Sequence, residues 1–287
     1  MGAVSLTVRD AGRAREFYER VVGLRALEGP GDSVRLGAGD EENTLVELNG
    51  RPDAPQRPPG TTGLFHLAIV VPTRRDLARA LRRVVEAGWS LAGASDHLVS
   101  EALYLSDPDG NGIEVYRDRP REQWSREDGM LRMATLPLDL RDLAAEDAES
   151  RSEPAMAAGT RIGHVHLQVG DLGEAEAFYA GTLGFEVTVR GYPGALFVAA
   201  GGYHHHVGLN TWAGAGAPPP PLGSVGLRTF EVLLPGGEEL ERVLERAEAA
   251  GAYVERNESH ALVPDPSGNT IALRSLTAPR TWGRTGV

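Results

Sequence analysis

Residues 2–24 read GAVSLTVRDAGRAREFYERVVGL, and residues 163–185 read GHVHLQVGDLGEAEAFYAGTLGF. In both stretches apolar and polar residues alternate, an Asp follows, and a helical pattern then runs to a Gly. Alternation with period two indicates a strand, and an Asp before a helical pattern that ends at Gly indicates an N-capped helix. The identical positions are Val4 and Val165, Leu6 and Leu167, Val8 and Val169, Asp10 and Asp171, Phe17-Tyr18 and Phe178-Tyr179, and Gly23 and Gly184. The chain therefore contains an internal repeat.

A second pair of repeats extends the pattern to four units. GLFHLAIVVP at 63–72 and GLRTFEVLLP at 226–235 each precede an amphipathic helical stretch that ends in Ala-Gly. Both units close on an Asp-Pro-x-Gly-Asn turn, in YLSDPDGNGIEVYR at 104–117 and LVPDPSGNTIALR at 262–274. Repeats that combine one helix with several strands indicate an α+β protein. We predict four modules at residues 1–60, 61–118, 161–217 and 222–276, with a polar connector at 119–160.

Composition sets limits on the function. At 287 residues, with 41% hydrophobic and 24% charged residues, the chain is long enough for two ordinary domains and is typical of soluble globular proteins. The net charge of −11 argues against a surface that binds nucleic-acid phosphates. No apolar run is long enough to span a membrane and the first residues lack a signal-peptide pattern, so we expect a cytoplasmic protein. Because there is no Cys, any metal must be held by His and carboxylate side chains.

The eight His residues are unevenly distributed. Seven lie in the second and third modules, whereas the first module has none and the fourth has only His260. His66 lies in the first strand of the second module. His164 and His166 lie two residues apart in the first strand of the third module, and therefore on one face of it. This clustering favours a shared role over separate structural roles.

Only one of the two Asp-Pro-x-Gly-Asn turns leads into a strand that carries a carboxylate. Glu114 follows Ile113 in the second module, whereas Ala272 follows Ile271 in the fourth. Two imidazoles and one carboxylate on neighbouring strands form a two-His-one-carboxylate face, which leaves adjacent coordination positions open and suits Fe(II). The same donors also fit Mn(II), and fit zinc less well. The residues alone thus predict a divalent-metal site without deciding which ion it holds.

These motifs resemble those of the vicinal oxygen chelate superfamily, which includes glyoxalases, bleomycin resistance proteins and extradiol dioxygenases. The resemblance covers nearly the whole chain and rests on the repeat at 163–185, on GGYHHHVGLNTW at 201–212 and on EALYLSDPDGNGIEVY at 101–116. The chain most resembles the extradiol enzymes of the catechol 2,3-dioxygenase type. The resemblance implies an α+β fold in which four βαβββ modules pair into two open, cupped β-barrels.

The resemblance also implies a set of site residues. Extradiol enzymes take metal ligands from the first strands of two paired modules and from the last strand of one of them, which here are His66, His164 and Glu114. The alignment of YHHHVGL with the last strand of the third module puts His205 at the acid–base position, with His204 and His206 on the other face. Tyr104, three residues before the Asp-Pro turn, and His97, a little upstream, would donate hydrogen bonds to the bound oxygens.

The chain departs from the commonest arrangement of the family, in which the metal lies between the third and fourth modules. Here the first and fourth modules lack the ligands, so we expect the metal between the second and third. The long connector at 119–160 would allow these two modules to pair. The first and fourth modules would then form a second pair that holds no metal.

The resemblance implies Fe(II)-dependent extradiol cleavage of a catechol by O2, giving a ring-opened semialdehyde, with His205 as the group that accepts and returns a proton. One alternative is a glyoxalase-type isomerase or lyase. Such enzymes usually take a carboxylate from the last strand of both paired modules, and Gly208 stands at the second place. A metal-free binding protein is the other alternative, but it leaves the His clustering unexplained. We expect small-molecule partners, neither nucleic acid nor membrane, and a homo-oligomer.

Overall fold

The chain repeats one order of elements four times: a strand, a helix and three strands. The computed structural model describes residues 1–28, 32–148 and 155–276. The first module contains β1 (Val4–Val8), α1 (Ala11–Phe17), β2 (Arg25–Leu27), β3 (Val34–Gly37) and β4 (Val46–Gly50). The second contains β5 (Gly63–Val70), α2 (Arg74–Glu86), β6 (Gly93–Asp96), β7 (Ser100–Ser106) and β8 (Gly112–Asp118).

The second half of the chain repeats this order after a connector that has short elements of its own. The connector contains a 3₁₀ turn (Arg121–Gln123), β9 (Arg126–Glu127), β10 (Met130–Leu131), β11 (Leu136–Pro137) and α3 (Leu140–Ala145). The third module contains β12 (Arg161–Gln168), α4 (Leu172–Glu176), β13 (Glu186–Val189), β14 (Ala195–Ala199) and β15 (Val207–Asn210). The fourth contains β16 (Gly226–Leu234), α5 (Gly237–Ala249), β17 (Glu255–Arg256), β18 (Ala261–Pro264) and β19 (Thr270–Ser275). One π-helical turn follows α1 at Tyr18–Val22, and another follows α4 at Ala177–Thr182.

Two large mixed sheets organise the described residues. The nine-stranded sheet has the order β11-β6-β7-β8-β5-β12-β15-β14-β13, and the antiparallel pair β5–β12 joins the second module to the third. The eight-stranded sheet has the order β17-β18-β19-β16-β1-β4-β3-β2, and the antiparallel pair β1–β16 joins the first module to the fourth. The predicted α+β class, with modules paired around curved sheets, is confirmed.

Side-chain caps begin the helices that the repeat predicts. Asp10 accepts a hydrogen bond from the backbone N–H of Arg13, and Asp171 accepts one from Glu174. Thr73 and Asp76 cap α2 reciprocally. Each cap satisfies an N–H group that has no partner inside the helix. Gly23 ends the first helical segment with a φ of 95°, a left-handed conformation in which Gly has no Cβ to strain.

The Phe-Tyr motif and the Asp-Pro-x-Gly-Asn motif contact each other across modules. Tyr179 Oη donates to Asp265 Oδ2 over 3.0 Å, and Tyr18 Oη lies 3.5 Å from Asp107 Oδ2. Asp265 also accepts hydrogen bonds from the backbone and side chain of Asn269 within its own turn. A tyrosine at the end of one module's helix thereby contacts the turn before the last strand of the next module.

We expect Tyr179→Phe to lower the free energy of unfolding by about 1–3 kcal/mol, because a buried carboxyl oxygen loses a hydrogen-bond donor. Denaturant unfolding measures the change. Tyr253→Phe is the control, since Tyr253 is 68% exposed and its substitution should change stability by less than about 0.5 kcal/mol. Equal stabilities of the two variants would show that the Tyr179–Asp265 contact makes no net contribution.

The connector extends the nine-stranded sheet. Its strand β11 pairs with the edge strand β6, where Leu136 lies opposite Asp96. Beyond β11, Arg74 of α2 bonds to Asp142 and Glu146, in and directly after α3. The connector is therefore part of the structure around the second module, beyond its predicted role of letting two modules pair. In the part of the chain that is described, no helix is both long enough and apolar enough to cross a membrane.

Candidate metal centre

The centre of the nine-stranded sheet brings the predicted ligands together. His164 in β12 lies opposite Ala68 in β5, and Ala68 in turn lies beside Glu114 in β8. His66 lies two residues before Ala68 in β5 and faces His166 across the antiparallel pair. Because side chains alternate along a strand, these positions share one face of the sheet.

The donor atoms of His66, Glu114 and His164 lie within 4.8 Å of one another. Glu114 Oε2 is 2.9 Å from His66 Nε2 and 3.2 Å from His164 Nε2. All three residues are buried, with exposures of 6%, 3% and 1% for His66, Glu114 and His164. Among the described residues, no other group of three His, Asp or Glu side chains converges this closely.

The protonation states at this point suit a cation. Burial raises the pKa of Glu114, but the neighbouring His164 and His66 imidazoles outweigh burial and hold that pKa well below its usual range. Burial lowers the pKa of His164 to about 4, although Glu114 opposes the shift. At neutral pH the site therefore offers an ionised carboxylate and a neutral His164 imidazole, the forms that bind metals.

The hydrogen bonding of His66 also suits a bound cation. His66 Nε2 is close to Glu114 Oε2 but makes no well-aligned hydrogen bond with any described residue. A buried nitrogen without a well-aligned partner is unusual in a folded protein. Here it lies beside a carboxylate and a second imidazole, the donor set that Fe(II) and Mn(II) bind. The residues present therefore fit a divalent metal.

The second and third modules differ at the position that sets the number of carboxylates. Ala68 pairs with Glu114 in the second module, and His166 pairs with Gly208 at the equivalent positions of the third. A Cβ placed on Gly208 would lie 2.9 Å from Cγ of His166. In the second module, the small side chain of Ala68 leaves room for the carboxylate of Glu114. In the third module, the imidazole of His166 fills the equivalent space, so the residue opposite it must be a glycine.

Gly208→Ala should lower the free energy of unfolding by about 1–3 kcal/mol, because the added methyl group collides with the His166 ring. The same change in a His166→Ala background should cost much less, since the collision is removed. Thermal or denaturant unfolding of the four proteins measures the coupling. Gly93→Ala is the matched control, because a Cβ on this strand glycine has no neighbour within 4 Å. Additive costs at 166 and 208 would contradict the contact.

A cavity of about 360 Å³ lies above the three ligands. Its walls are largely apolar and aromatic. Met133 and Ala134 of the connector contribute to them, together with Phe65 of the second module and Tyr192, Phe197 and Trp212 of the third. Phe65 and Trp212 contact each other edge to face and are 39% and 46% exposed. The volume is at the small end for ligand pockets, so the cavity suits a molecule with one or two rings.

His205 lies in the wall of this cavity, beside the ligand His164, with ring centroids 4.0 Å apart. Burial lowers the pKa of His205 well below its usual range, and the neighbouring imidazoles add to this. The predicted placement of His205 within the last strand is wrong, because β15 begins at Val207. Strand alternation therefore does not explain the orientation of His204, which bonds to the His205 ring.

Tyr104 and His97 also line the cavity, and they bind each other. Tyr104 Oη lies 2.6 Å from His97 Nε2, and His97 Nδ1 lies 2.7 Å from the carbonyl oxygen of Ala134. A carbonyl only accepts, so Nδ1 carries the hydrogen of the neutral ring and Nε2 accepts from Tyr104. With the hydrogens placed in this way, the N–H of His97 and the O–H of Tyr104 are both already donated, so neither is free to donate to a substrate as predicted. His97 instead orients the Tyr104 hydroxyl.

Several residues of the site were not found from the sequence. The connector wall at 133–135 has no motif. It is held at the cavity by the pairing of β11 with β6 and by the bonds of Ala134 to His97 and of Thr135 to Tyr192. Asp118, the last residue of β8, bonds to His204 behind the cavity. The three consecutive His residues at 204–206 were a signal that one of them supports another, but the sequence does not say which.

Comparison with known proteins agrees with this arrangement. The family model of the Glyoxalase/Bleomycin resistance protein/Dioxygenase superfamily matches residues 1–115 and 161–273. A catechol-2,3-dioxygenase from Bacillus subtilis (strain 168) is 46% identical over 272 residues, which cover 93% of each chain. Biphenyl-2,3-diol 1,2-dioxygenase 3 from Rhodococcus globerulus is 38% identical over 81 residues, 28% of this chain and 43% of that one.

The fold itself is shared with a solved enzyme of the same superfamily. The crystal structure of glyoxalase I from Zea mays superimposes with a TM-score of 0.60, covering 96% of this chain and 92% of that one at 17% identity. At this identity the likeness concerns the fold alone. The family model matches both halves of the chain and leaves out the whole connector at 119–160. The chain therefore belongs to the glyoxalase, bleomycin resistance protein and dioxygenase superfamily.

Proposed function

We propose that this chain is an extradiol dioxygenase that holds Fe(II) on His66, Glu114 and His164 and opens the ring of a catechol-type diol with O2. One observation carries the proposal: two buried imidazoles and one buried carboxylate converge at the base of an aromatic-walled cavity. Such a ligand set occupies one face of a metal and leaves adjacent positions for a chelating diol and O2. Mn(II) fits the same donors.

Bound iron would act as a Lewis acid toward the diol and would provide an electron path between the ring and O2. The protein side chains supply the rest. His205, in the cavity wall next to His164, is the group that accepts a proton from a substrate hydroxyl and returns it during ring opening. The Tyr104 hydroxyl, whose hydrogen goes to His97, would accept a hydrogen bond from a substrate hydroxyl from the side of the second module. The apolar walls exclude water from the reacting groups.

The most extensive similarity supports the same reaction. The Bacillus subtilis relative bears the name catechol-2,3-dioxygenase, and its 46% identity spans both paired modules of the site. We carry that activity over to this chain because the predicted ligands lie close enough to share one metal here. The cavity of about 360 Å³ favours a catechol with small substituents over a large polycyclic diol.

The glyoxalase alternative requires a carboxylate from the third module as well. The equivalent position is Gly208, and the ring of His166 fills the space that a side chain there would need. This difference favours a face of three ligands, which would leave positions open for O2. A metal-free binding protein would have no use for a buried carboxylate between two imidazoles, since such a group is costly to bury without a cation.

The test is a ring-cleavage assay with defined metals. We expect the metal-stripped protein, loaded anaerobically with Fe(II) and then mixed with catechol in aerated buffer, to consume one O2 for each molecule of yellow ring-opened product. Parallel loading with Mn(II) and with zinc separates the candidate ions, and zinc should support no O2 uptake. Iron-loaded protein that binds catechols without consuming O2 would contradict the proposal.

A further inference from the structure

A chain of hydrogen bonds runs from the cavity residue His205 into the protein interior. His205 Nδ1 lies 2.7 Å from His204 Nδ1, and His204 Nε2 lies 2.8 Å from Asp118 Oδ1. Tyr203 Oη donates to both oxygens of the same carboxylate, over 3.1 and 2.9 Å. His204 is completely buried, with 0% exposure, so water cannot replace its partners.

The donor and acceptor groups in this series of hydrogen bonds indicate which atom carries each hydrogen. The Asp118 carboxylate only accepts hydrogen bonds, so His204 Nε2 must carry a hydrogen. In a neutral His204 ring, Nδ1 then has a lone pair and can only accept. For that neutral ring, the hydrogen between the two Nδ1 atoms belongs to His205. The opposite assignment would place the His204 Nε2 lone pair against a carboxylate in a buried site, where nothing compensates the repulsion.

We propose that Asp118 and His204 are positioning residues that hold His205 in the tautomer with its hydrogen on Nδ1, leaving Nε2 as the proton acceptor of the cavity. Whether one ring nitrogen of a histidine carries the hydrogen is determined by the hydrogen bond that the other ring nitrogen makes. His205 Nε2 makes no hydrogen bond with any described residue, and the ring lines the cavity. The role of the acceptor rests on the proposed function, whereas the tautomer does not.

In the proposed proton transfer, His205 is the protein group that gains and then loses the proton. An O–H bond of the substrate breaks as an N–H bond forms at Nε2, and the reverse transfer returns the proton to an oxygen of the product. Throughout, Nδ1 keeps its hydrogen and donates it to His204. The carboxylate of Asp118 stabilises the transient positive charge through His204, as an aspartate stabilises a histidine in a hydrolase triad.

The experiment compares two replacements of His204 in the full-length chain. His204→Phe keeps an aromatic ring but removes the acceptor for His205, whereas His204→Asn keeps an acceptor oxygen near the place of Nδ1. His206→Asn is the matched control, because His206 belongs to the same triplet and accepts only from the backbone N–H of Ala200. The first readout is ¹⁵N NMR of histidine-labelled, metal-free protein, which distinguishes an N–H nitrogen from one with a lone pair. The second is kcat, KM and iron content after loading.

We expect wild-type His205 to show its hydrogen on Nδ1, and His204→Phe to lose that preference together with roughly 10²-fold in kcat at unchanged KM and iron content. His204→Asn should keep the tautomer and retain kcat within about tenfold, and His206→Asn should match the wild type. A wild-type His205 with its hydrogen on Nε2 would overturn the proposal, and so would a His204→Phe variant with full kcat. A wild type that shows the Nδ1 tautomer but cleaves no catechol would overturn the proposed function and leave this inference standing. The wild-type spectrum decides the tautomer even if a variant fails to fold.

Discussion

Glu114→Gln should abolish iron retention and ring cleavage together while the protein stays folded. Among the described residues, Glu114 is the one carboxylate within reach of both imidazoles, and its oxygen lies 2.9 Å from His66 and 3.2 Å from His164. A neutral amide matches the shape of the carboxylate but removes its negative charge from a buried site. Changes to residues that only support metal ligands typically weaken binding by roughly 10–100-fold, so the loss of a ligand charge should exceed this. Iron analysis after desalting measures the effect.

The control for this variant lies in the other sheet. Glu47 of β4 lies beside Ser5 of β1, the pair that corresponds to Glu114 and Ala68 in the second module. It has no His beside it and accepts a hydrogen bond from Ser33. Glu47→Gln should leave both iron content and kcat unchanged. Iron that remains stoichiometric in Glu114→Gln would contradict the assignment of this residue.

His205→Ala should retain iron and lose most of its turnover. His205 contacts the ring of His164 from the cavity side but is outside the convergent group of three donors. Removing a positioned acid–base group typically lowers the rate by roughly 10²–10⁴-fold. The effect should fall on kcat, with iron content and the affinity for the diol nearly unchanged. Stopped-flow measurement of product formation, combined with metal analysis, separates the two quantities.

The neighbouring residue provides a matched control for this variant as well. His206 is half-buried, follows His205 directly and does not line the cavity. His206→Ala should therefore keep both kcat and iron. Full activity with tightly bound iron in His205→Ala would show that another group transfers the proton.

The fold could be predicted largely because the chain repeats itself. The alternation in residues 2–24 and 163–185, the Asp caps and the terminal glycines are local signals, and each depends on neighbouring residues only. The three candidate ligands could be selected from the sequence for the same reason, since two of them occupy equivalent positions of repeated strands. Local signals do not reveal contacts between modules. The hydrogen bond from Tyr179 to Asp265 is an example, because each residue belongs to a motif that was recognised separately.

The site was predicted less completely where it depends on loops. His205 lies before β15 in an irregular segment, so a strand pattern could not place its ring or that of His204. The wall at 133–135 lies in the connector, which is positioned by a short strand pair at the sheet edge and by side-chain contacts with the second module. The packing of His166 against Gly208 was equally invisible, because it depends on the space between two side chains. Each of these features needs three-dimensional neighbours that the sequence order does not reveal.

One divalent ion should bind between the second and third modules, and iron-edge anomalous diffraction from crystals of the Fe(II)-loaded protein would locate it. We predict a single strong peak within bonding distance of one nitrogen of His66, one nitrogen of His164 and a carboxylate oxygen of Glu114. A peak anywhere else in the molecule, or an ion at this point with any of the three side chains turned away, would contradict the account.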